Sequence, residues 1–266
     1  MKNRTIIPNL YIILVLVIMY LPIVIVIIYS FNESRVNVFW EGFTLDWYFE
    51  LFKDKAILSA LKNSFILAVL SSLCAGVIGT LGAVGMARRK MAGGRAMEYF
   101  SILPIMIPEI ILGMVFLAFF ALIGIPLGMT TLIIGHTAFC IPYVYLLVKA
   151  RLTGLDSSYV EAARDLGAGE IRAFLNITVP LILPAIASGM MLAFAMSFDD
   201  VIISSFVTGV NTNTLPLLIF SQLKFGLTPK TNALCALLFA ATTIIVIIAV
   251  IIGKINNKKR FPAVIP

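Results

Sequence analysis

Three carboxylates stand where hydrocarbon is expected: Glu109, Asp199 and Asp200 each lie within or beside a long apolar run. Burying an ionised carboxylate in a bilayer is costly, so acids that persist there point to an ion or substrate route. Glu109 follows Pro108, with Pro104 one turn earlier, and the helix that carries it is expected to bend or break there. Carbonyls freed at such a break are tolerated only beside protein or a water-filled cavity. Asp199 and Asp200 are adjacent, so on a helix they point about 100° apart. Gly189, Ala193, Ser197, Asp200 and Ser204 form a small, partly polar stripe that either packs against another helix or borders a route. No lysine or arginine falls in that run, and carboxylates without basic partners favour a cation; the alternative is that both acids sit at the water boundary. Aromatic faces attract ammonium groups, and Trp40, Trp47, Tyr48, Phe194, Phe198, Phe206 and Phe225 are candidates, although aromatics also form interface belts. Trp47 stands out because Asp46 lies beside it. The single histidine, His136, has no second ligand nearby and reads as a packing residue. Cys74, Cys140 and Cys235 lack CxxC spacing, so they read as small buried hydrophobes instead of disulfide or metal groups.

The elements that must hold these residues are membrane helices. Of 266 residues, 61% are hydrophobic and 12% charged, and the mean hydropathy is +1.04. A soluble domain carries about twice that charge. Six stretches reach the roughly 20 apolar residues needed to cross a bilayer: about 9–30, 61–87, 99–123, 130–149, 181–206 and 233–253. Alternation of barrel type is absent, so the spans are helices. The first span follows Lys2 and Arg4 but exceeds the length of a signal-peptide core and lacks a small-x-small cleavage site, so it is expected to be retained. With both termini cytoplasmic, 14 of the 20 Lys and Arg fall on the inner face and six on the outer, as the positive-inside rule asks. The net charge of +7 is therefore a topology signal and needs no nucleic acid; Lys258, Lys259 and Arg260 read as a lipid-surface anchor.

That topology puts residues 150–180 in the cytoplasm. Ser158 and Glu161 have the spacing of a capping box, which predicts a helix from about 159; Gly167 ends it and Gly169 allows a second turn. Tyr159, Ala162, Ala163 and Leu166 fall on one apolar face, with Glu161, Arg164 and Asp165 on the other. Surface-lying membrane helices carry bulky apolar residues and many lysines. This one is small-faced and charge-balanced, which favours docking in a groove of a protein partner. Between 207 and 232, Thr214 is placed to cap a short helix opened by Leu215 and Pro216 and closed by Gly226.

Glu161-Ala162-Ala163, Gly167, Ile177 and Pro180 resemble the EAA signature of permease subunits of bacterial ABC importers, EAA-x3-G-x9-I-x-LP, with Val179 in place of Leu. The resemblance implies a type I (MetI-like) all-α permease fold of six transmembrane helices in one domain, residues 1–266, in the bacterial cytoplasmic membrane. It also implies that the 150–180 loop couples to an ATPase subunit through Tyr159, Glu161, Ala162, Ala163, Asp165, Leu166 and Gly167. Ser197–Gly209, Thr214–Leu217, Pro229–Leu234, Tyr29–Asn32 and Trp40–Thr44 look like segments of the polyamine importer permeases, nearest to the second spermidine/putrescine permease subunit. That likeness implies a homologous second permease, two ATPase subunits that bind ATP and Mg, an external substrate-binding protein, and a polyamine route past Trp47, Glu109, Asp199 and Asp200. Lys230, where relatives often carry another polar group, weighs against that route. The chain has no P-loop, no cofactor is expected in it, and its role is not enzymatic. The alternatives are a permease for another small cation or ferric iron, a proton-coupled transporter, or an intramembrane enzyme. The last lacks a catalytic constellation.

Overall fold

The computed structural model describes residues 6–35, 39–88, 94–156, 158–224 and 226–260. They form twelve α-helices and one π-helical turn: α1 Ile6–Tyr29, α2 Asp46–Lys53, α3 Lys55–Arg88, α4 Gly94–Met106, α5 Glu109–Leu122, α6 Met129–Thr153, α7 Ser158–Asp165, α8 Glu170–Ala173, the π turn Phe174–Thr178, α9 Val179–Asp199, α10 Ile202–Val207, α11 Leu215–Leu223 and α12 Pro229–Arg260. No strand occurs among the described residues; the single β-bridge joins Asn32 to Phe43. Apolar side chains make these segments insoluble as coils, and helices close their own backbone hydrogen bonds, which a hydrocarbon surround requires.

Five helices are long and apolar enough to cross a membrane, and six crossings result if one bent pair counts as a single span. The bend expected at Pro104 and Pro108 is present, and it divides the third span of 99–123 into two helices. Ala96–Met106 and Glu109–Leu122 meet at 108° around Ile107 and Pro108. Pro108 cannot donate a helix bond, and its extended ψ of 132° starts α5 in a new direction. Glu98 near the start of α4 pairs with Lys149 near the end of α6, while Phe116 of α5 packs beside Gly135 near the start of α6. α4 and α5 thus each reach α6, α4 near its end and α5 near its start. The fifth span is corrected: it does not continue to 206 but stops at Asp199, and α10 follows as a separate helix.

The chain divides into two compact units, residues 1–55 with 221–266, and residues 56–220. In the first, α12 packs on α1 and α2. Its loop is organised by Asn32, whose amide donates to Phe39 O (2.7 Å) and whose Oδ1 accepts from Glu41 N–H (3.0 Å). Phe31 stacks on Phe43, and Ser30 and Tyr48 share a 2.7 Å hydrogen bond. Lys230 of α12 pairs with Asp54 at 2.6 Å, so the lysine that weighed against a cation route is already neutralised.

In the second unit α6 is the central helix: 61% of its span is buried, against none of α1. Val144 of α6 is the point of closest approach, with Gly79 of α3 on one side and Gly189 of α9 on the other; an added Cβ would meet Val144 atoms at 2.9 and 3.0 Å. The small stripe on α9 is thus a packing surface, and Cys140 Sγ–H donates to Ala193 O there at 3.3 Å. Cys140 is buried as expected, but Cys74 is exposed and Cys235 half-buried.

Candidate functional site

Two regions of the second unit carry all the predicted site residues except Trp47. The first is the 150–180 loop, where α7 has no buried side chain. Its start is fixed differently from the capping box expected of Ser158: the Asp156 carboxylate accepts the Ser158 N–H at 2.9 Å. These bonds to Ser158 hold the Asp156 carboxyl below its ordinary range. The end of α7 is as expected. Gly167 sits at φ 85°, Gly167 N–H donates to Arg164 O (2.8 Å) and Ala168 N–H to Ala163 O (3.0 Å), which is the Schellman pattern. Gly169 then opens α8. Arg164 pairs with Glu170 across the turn at 2.9 Å; the pair is exposed and contributes no more than about 1 kcal/mol.

Leu166 is 90% exposed and Ile171 76%, a large apolar exposure on an otherwise charged loop. Tyr159, Glu161 and Arg164 line one cleft of about 370 Å³ with Leu152, Leu155 and Thr178. Ala163, Leu166 and Gly167 line a second of about 240 Å³ with Ala173 and Ile177. The helix is a ridge between two hollows, and Glu161 and Asp165 hold no ion-pair partner among the described residues. A ridge of this kind has the shape to seat in a groove of a partner.

The second region lies at the far end of α9, and here the predicted acids separate. Asp199 is exposed at the C-terminal end of α9, where the helix dipole is unfavourable to an anion and favourable to a cation beside it. Asp200 is buried, and both its oxygens are engaged: Oδ1 accepts Ile203 N–H (3.2 Å) and Oδ2 accepts Ser204 N–H (2.8 Å). Its carboxylate caps α10 and stands 3.4 Å from His136 Nε2. Asp200, a pathway candidate by sequence, thus has both carboxylate oxygens engaged within the protein. His136 is not merely packed. Its Nδ1 lies 2.8 Å from Ser197 Oγ and its Nε2 3.1 Å from Ser204 Oγ, while Ser71 of α3 donates to Ser197 at 2.8 Å.

Glu109 is half-buried at the first turn of α5, where the helix dipole favours its charge. No hydrogen bond or ion pair among the described residues engages its carboxylate. α10 packs on α5, with the Phe206 ring against Gly113, one turn past Glu109.

Trp47 belongs to the first unit, where its indole N–H donates to Asn32 O at 2.8 Å, and the adjacent Asp46 N–H donates to Thr44 Oγ (3.1 Å). Phe194 stacks on Phe198 and meets Phe65 edge-on; Phe225 lies outside the described residues. The Thr214 cap is corrected as well. Its hydroxyl has no partner, and Ser64 of α3 accepts the Leu215 N–H instead, at 2.7 Å. Sequence reasoning missed Ser64, Ser71 and the His136 contacts, because each acts across more than 60 residues. The recurrence of Ser197, Asp200 and Ser204 on one helical face was the only local signal.

The family described as "Binding-protein-dependent transport system inner membrane component" matches residues 75–260. The spermidine/putrescine transport system permease protein PotC of Haemophilus influenzae is 37% identical over 255 residues, covering 96% of this chain and 99% of the relative. PotC of Escherichia coli K12 is 40% identical over 240 residues (90% and 91%), and the putrescine transport system permease protein PotI of the same strain is 38% identical over 249 residues (91% and 89%). Among solved structures, a bacterial ABC transporter involved in the import of the acidic polysaccharide alginate matches with a TM-score of 0.73 at 14% identity, covering 95% of this chain and 96% of that one. The MetNI methionine ABC transporter matches at 0.61 and 16% identity (77% and 95%). Likeness at that identity speaks to the fold.

Proposed function

Given that this chain belongs to the family of inner membrane components of binding-protein-dependent transport systems, we propose that it is the permease subunit of an ATP-driven importer for the polyamines spermidine and putrescine. It is a multi-pass protein of the inner membrane and a transport subunit, not an enzyme. The observation that carries the substrate is the 37–40% identity, over at least 90% of the chain, to permeases named for these two amines.

In this reading the chain forms half of a translocation pathway with a homologous second permease, both termini and the 150–180 loop facing the cytoplasm. A substrate-binding protein delivers the amine on the opposite side, and two ATPase subunits, which bind ATP and Mg, close on the ridge of α7. Glu161 and Leu166 make the contact and Gly167 sets the direction in which the chain leaves it. Glu109 and Asp199 supply carboxylates that no basic side chain occupies among the described residues, and a polycation crossing hydrocarbon exchanges its hydration for such groups. Trp47 offers an aromatic face at the entry side. None of these contacts makes or breaks a covalent bond: the ATPase supplies the energy and this chain converts closure into access.

The test is the ATPase rate of the reconstituted complex with its binding protein, with spermidine and putrescine added separately. Stimulation by either supports a polyamine importer and ranks the ligands. Silence with both, in a complex that hydrolyses ATP, removes the substrate and keeps the permease.

A further inference from the structure

We propose that His136 and Asp200 form a joint through which movement of the 150–180 loop reaches Glu109, which makes them positioning residues of transport and not ligands of the cation. The inference rests on the reading of that loop as the ATPase contact.

Its first support is continuity. Residues Glu170–Asp199 form one helical rod of 30 residues, about 45 Å long at 1.5 Å per residue, with the loop at one end and Asp200 at the other. The second is fixation of the far end. Ser197, in the last turn of α9, is held between Ser71 of α3 (2.8 Å) and His136 of α6 (2.8 Å), so the rod cannot shift there without moving or breaking those bonds. Hydrogen bonds in a buried setting are strengthened by low dielectric and expensive to leave unmade, and Ser71, His136, Ser197, Asp200 and Ser204 are all buried.

The third support is transfer. The carboxylate that faces His136 is the same one that accepts Ile203 N–H and Ser204 N–H, so it fixes the direction in which α10 leaves the rod. Phe206 of α10 then bears on Gly113 of α5, and Glu109 begins that helix. The chain of contacts from loop to acid is unbroken.

The measurement uses the whole complex in vesicles, with Cys74→Ser and Cys235→Ser in place and an exposed reporter, Ile110→Cys, beside Glu109. The rate of maleimide modification is read before and after trapping the ATPase with ADP and vanadate. Trapping is expected to change the rate about fivefold or more, the lower range of known coupling, in the reporter background. His136→Ala should abolish that change while the subunits still copurify and basal ATP hydrolysis persists, and His136→Gln, which can still bond on both sides, should restore part of it. Ser197→Ala removes a single hydroxyl from the same network and should weaken the change even if His136→Ala fails to assemble. An undiminished change in His136→Ala and Ser197→Ala overturns the joint alone. No change in the reporter background overturns the joint together with the loop reading it rests on.

Discussion

At one end of the α9 rod, between Ser158 and Asp165, no side chain is buried. At the other, Ser71, His136, Ser197, Asp200 and Ser204 are nearly without solvent contact and satisfy one another. The first end holds its shape by local means: a carboxylate two residues before the helix, a left-handed glycine after it and one exposed ion pair. The second holds its shape by contacts between four helices. An element that must be gripped from outside has to be complete in itself, whereas an element that must resist displacement has to be tied to its neighbours.

Paired glycine substitutions give the largest contrast. A Cβ at Gly209, just past α10, would collide with the backbone carbonyl of Leu127, while one at Gly167 meets nothing within 4 Å. Gly209→Ala is expected to prevent assembly, visible as loss of the subunit from the purified complex. Gly167→Ala incurs only the left-handed backbone strain of about 1–2 kcal/mol, and the complex should form. Equal yields from the two variants would erase the distinction between the ends.

Charge reversal tests the exposed end directly. Glu161→Lys should cut uptake per ATP hydrolysed about tenfold, within the span of known coupling energies, with membrane insertion intact; unchanged stoichiometry would remove the ridge from the ATPase contact. Glu109→Gln, between the ends, should slow polyamine uptake about fivefold, the size of one net hydrogen bond of about 1 kcal/mol, without altering assembly. Uptake equal to the parent at several substrate concentrations would take Glu109 out of the route.

Smaller effects sharpen the comparison. Ser64→Ala leaves the buried Leu215 N–H without an acceptor, a loss of about 1–3 kcal/mol that should lower the melting temperature of the complex; an unchanged midpoint would mean that the amide finds another partner. The Asp156 carboxyl lies below its ordinary value of 3.8 in the folded chain, so its bond to Ser158 is fully present above that value and fades only as pH falls through the lowered one. Protection of the Ser158 amide from hydrogen exchange should therefore be constant between pH 7.5 and 5. A decline in that window would show that some other group caps α7.

The same division governs what could be read from sequence. The loop helix was legible because its signals lie within ten residues: Gly167, the i, i+3, i+4 apolar positions and Gly169. Even there Ser158 reads as the cap, since Asp156 and Ser158 both suit a helix start and spacing alone does not choose between them. The break at Pro108 was legible from proline chemistry, but its angle of 108° was not, because packing on α6 and α10 sets it. The stop at Asp199 was hidden by the apolar run 201–207, which continues the hydropathy of α9 while Asp200 redirects the backbone. Asp200 itself reads as an intramembrane charge awaiting a ligand until His136, 64 positions away, is found beside it.

The π turn at Phe174–Thr178 lets the chain between loop and rod carry a spare residue without losing phase. A π turn holds one residue more than the α-helix it interrupts, so deleting a residue there would let α8 run into α9 with ordinary geometry. Glu161 and Leu166 would then keep their bearing around the rod, whereas a residue deleted from the regular helix of α9 would swing them by about 100°. The bearing on which the ridge faces its partner is thus tolerant of a length change at these five residues and intolerant of one beyond them.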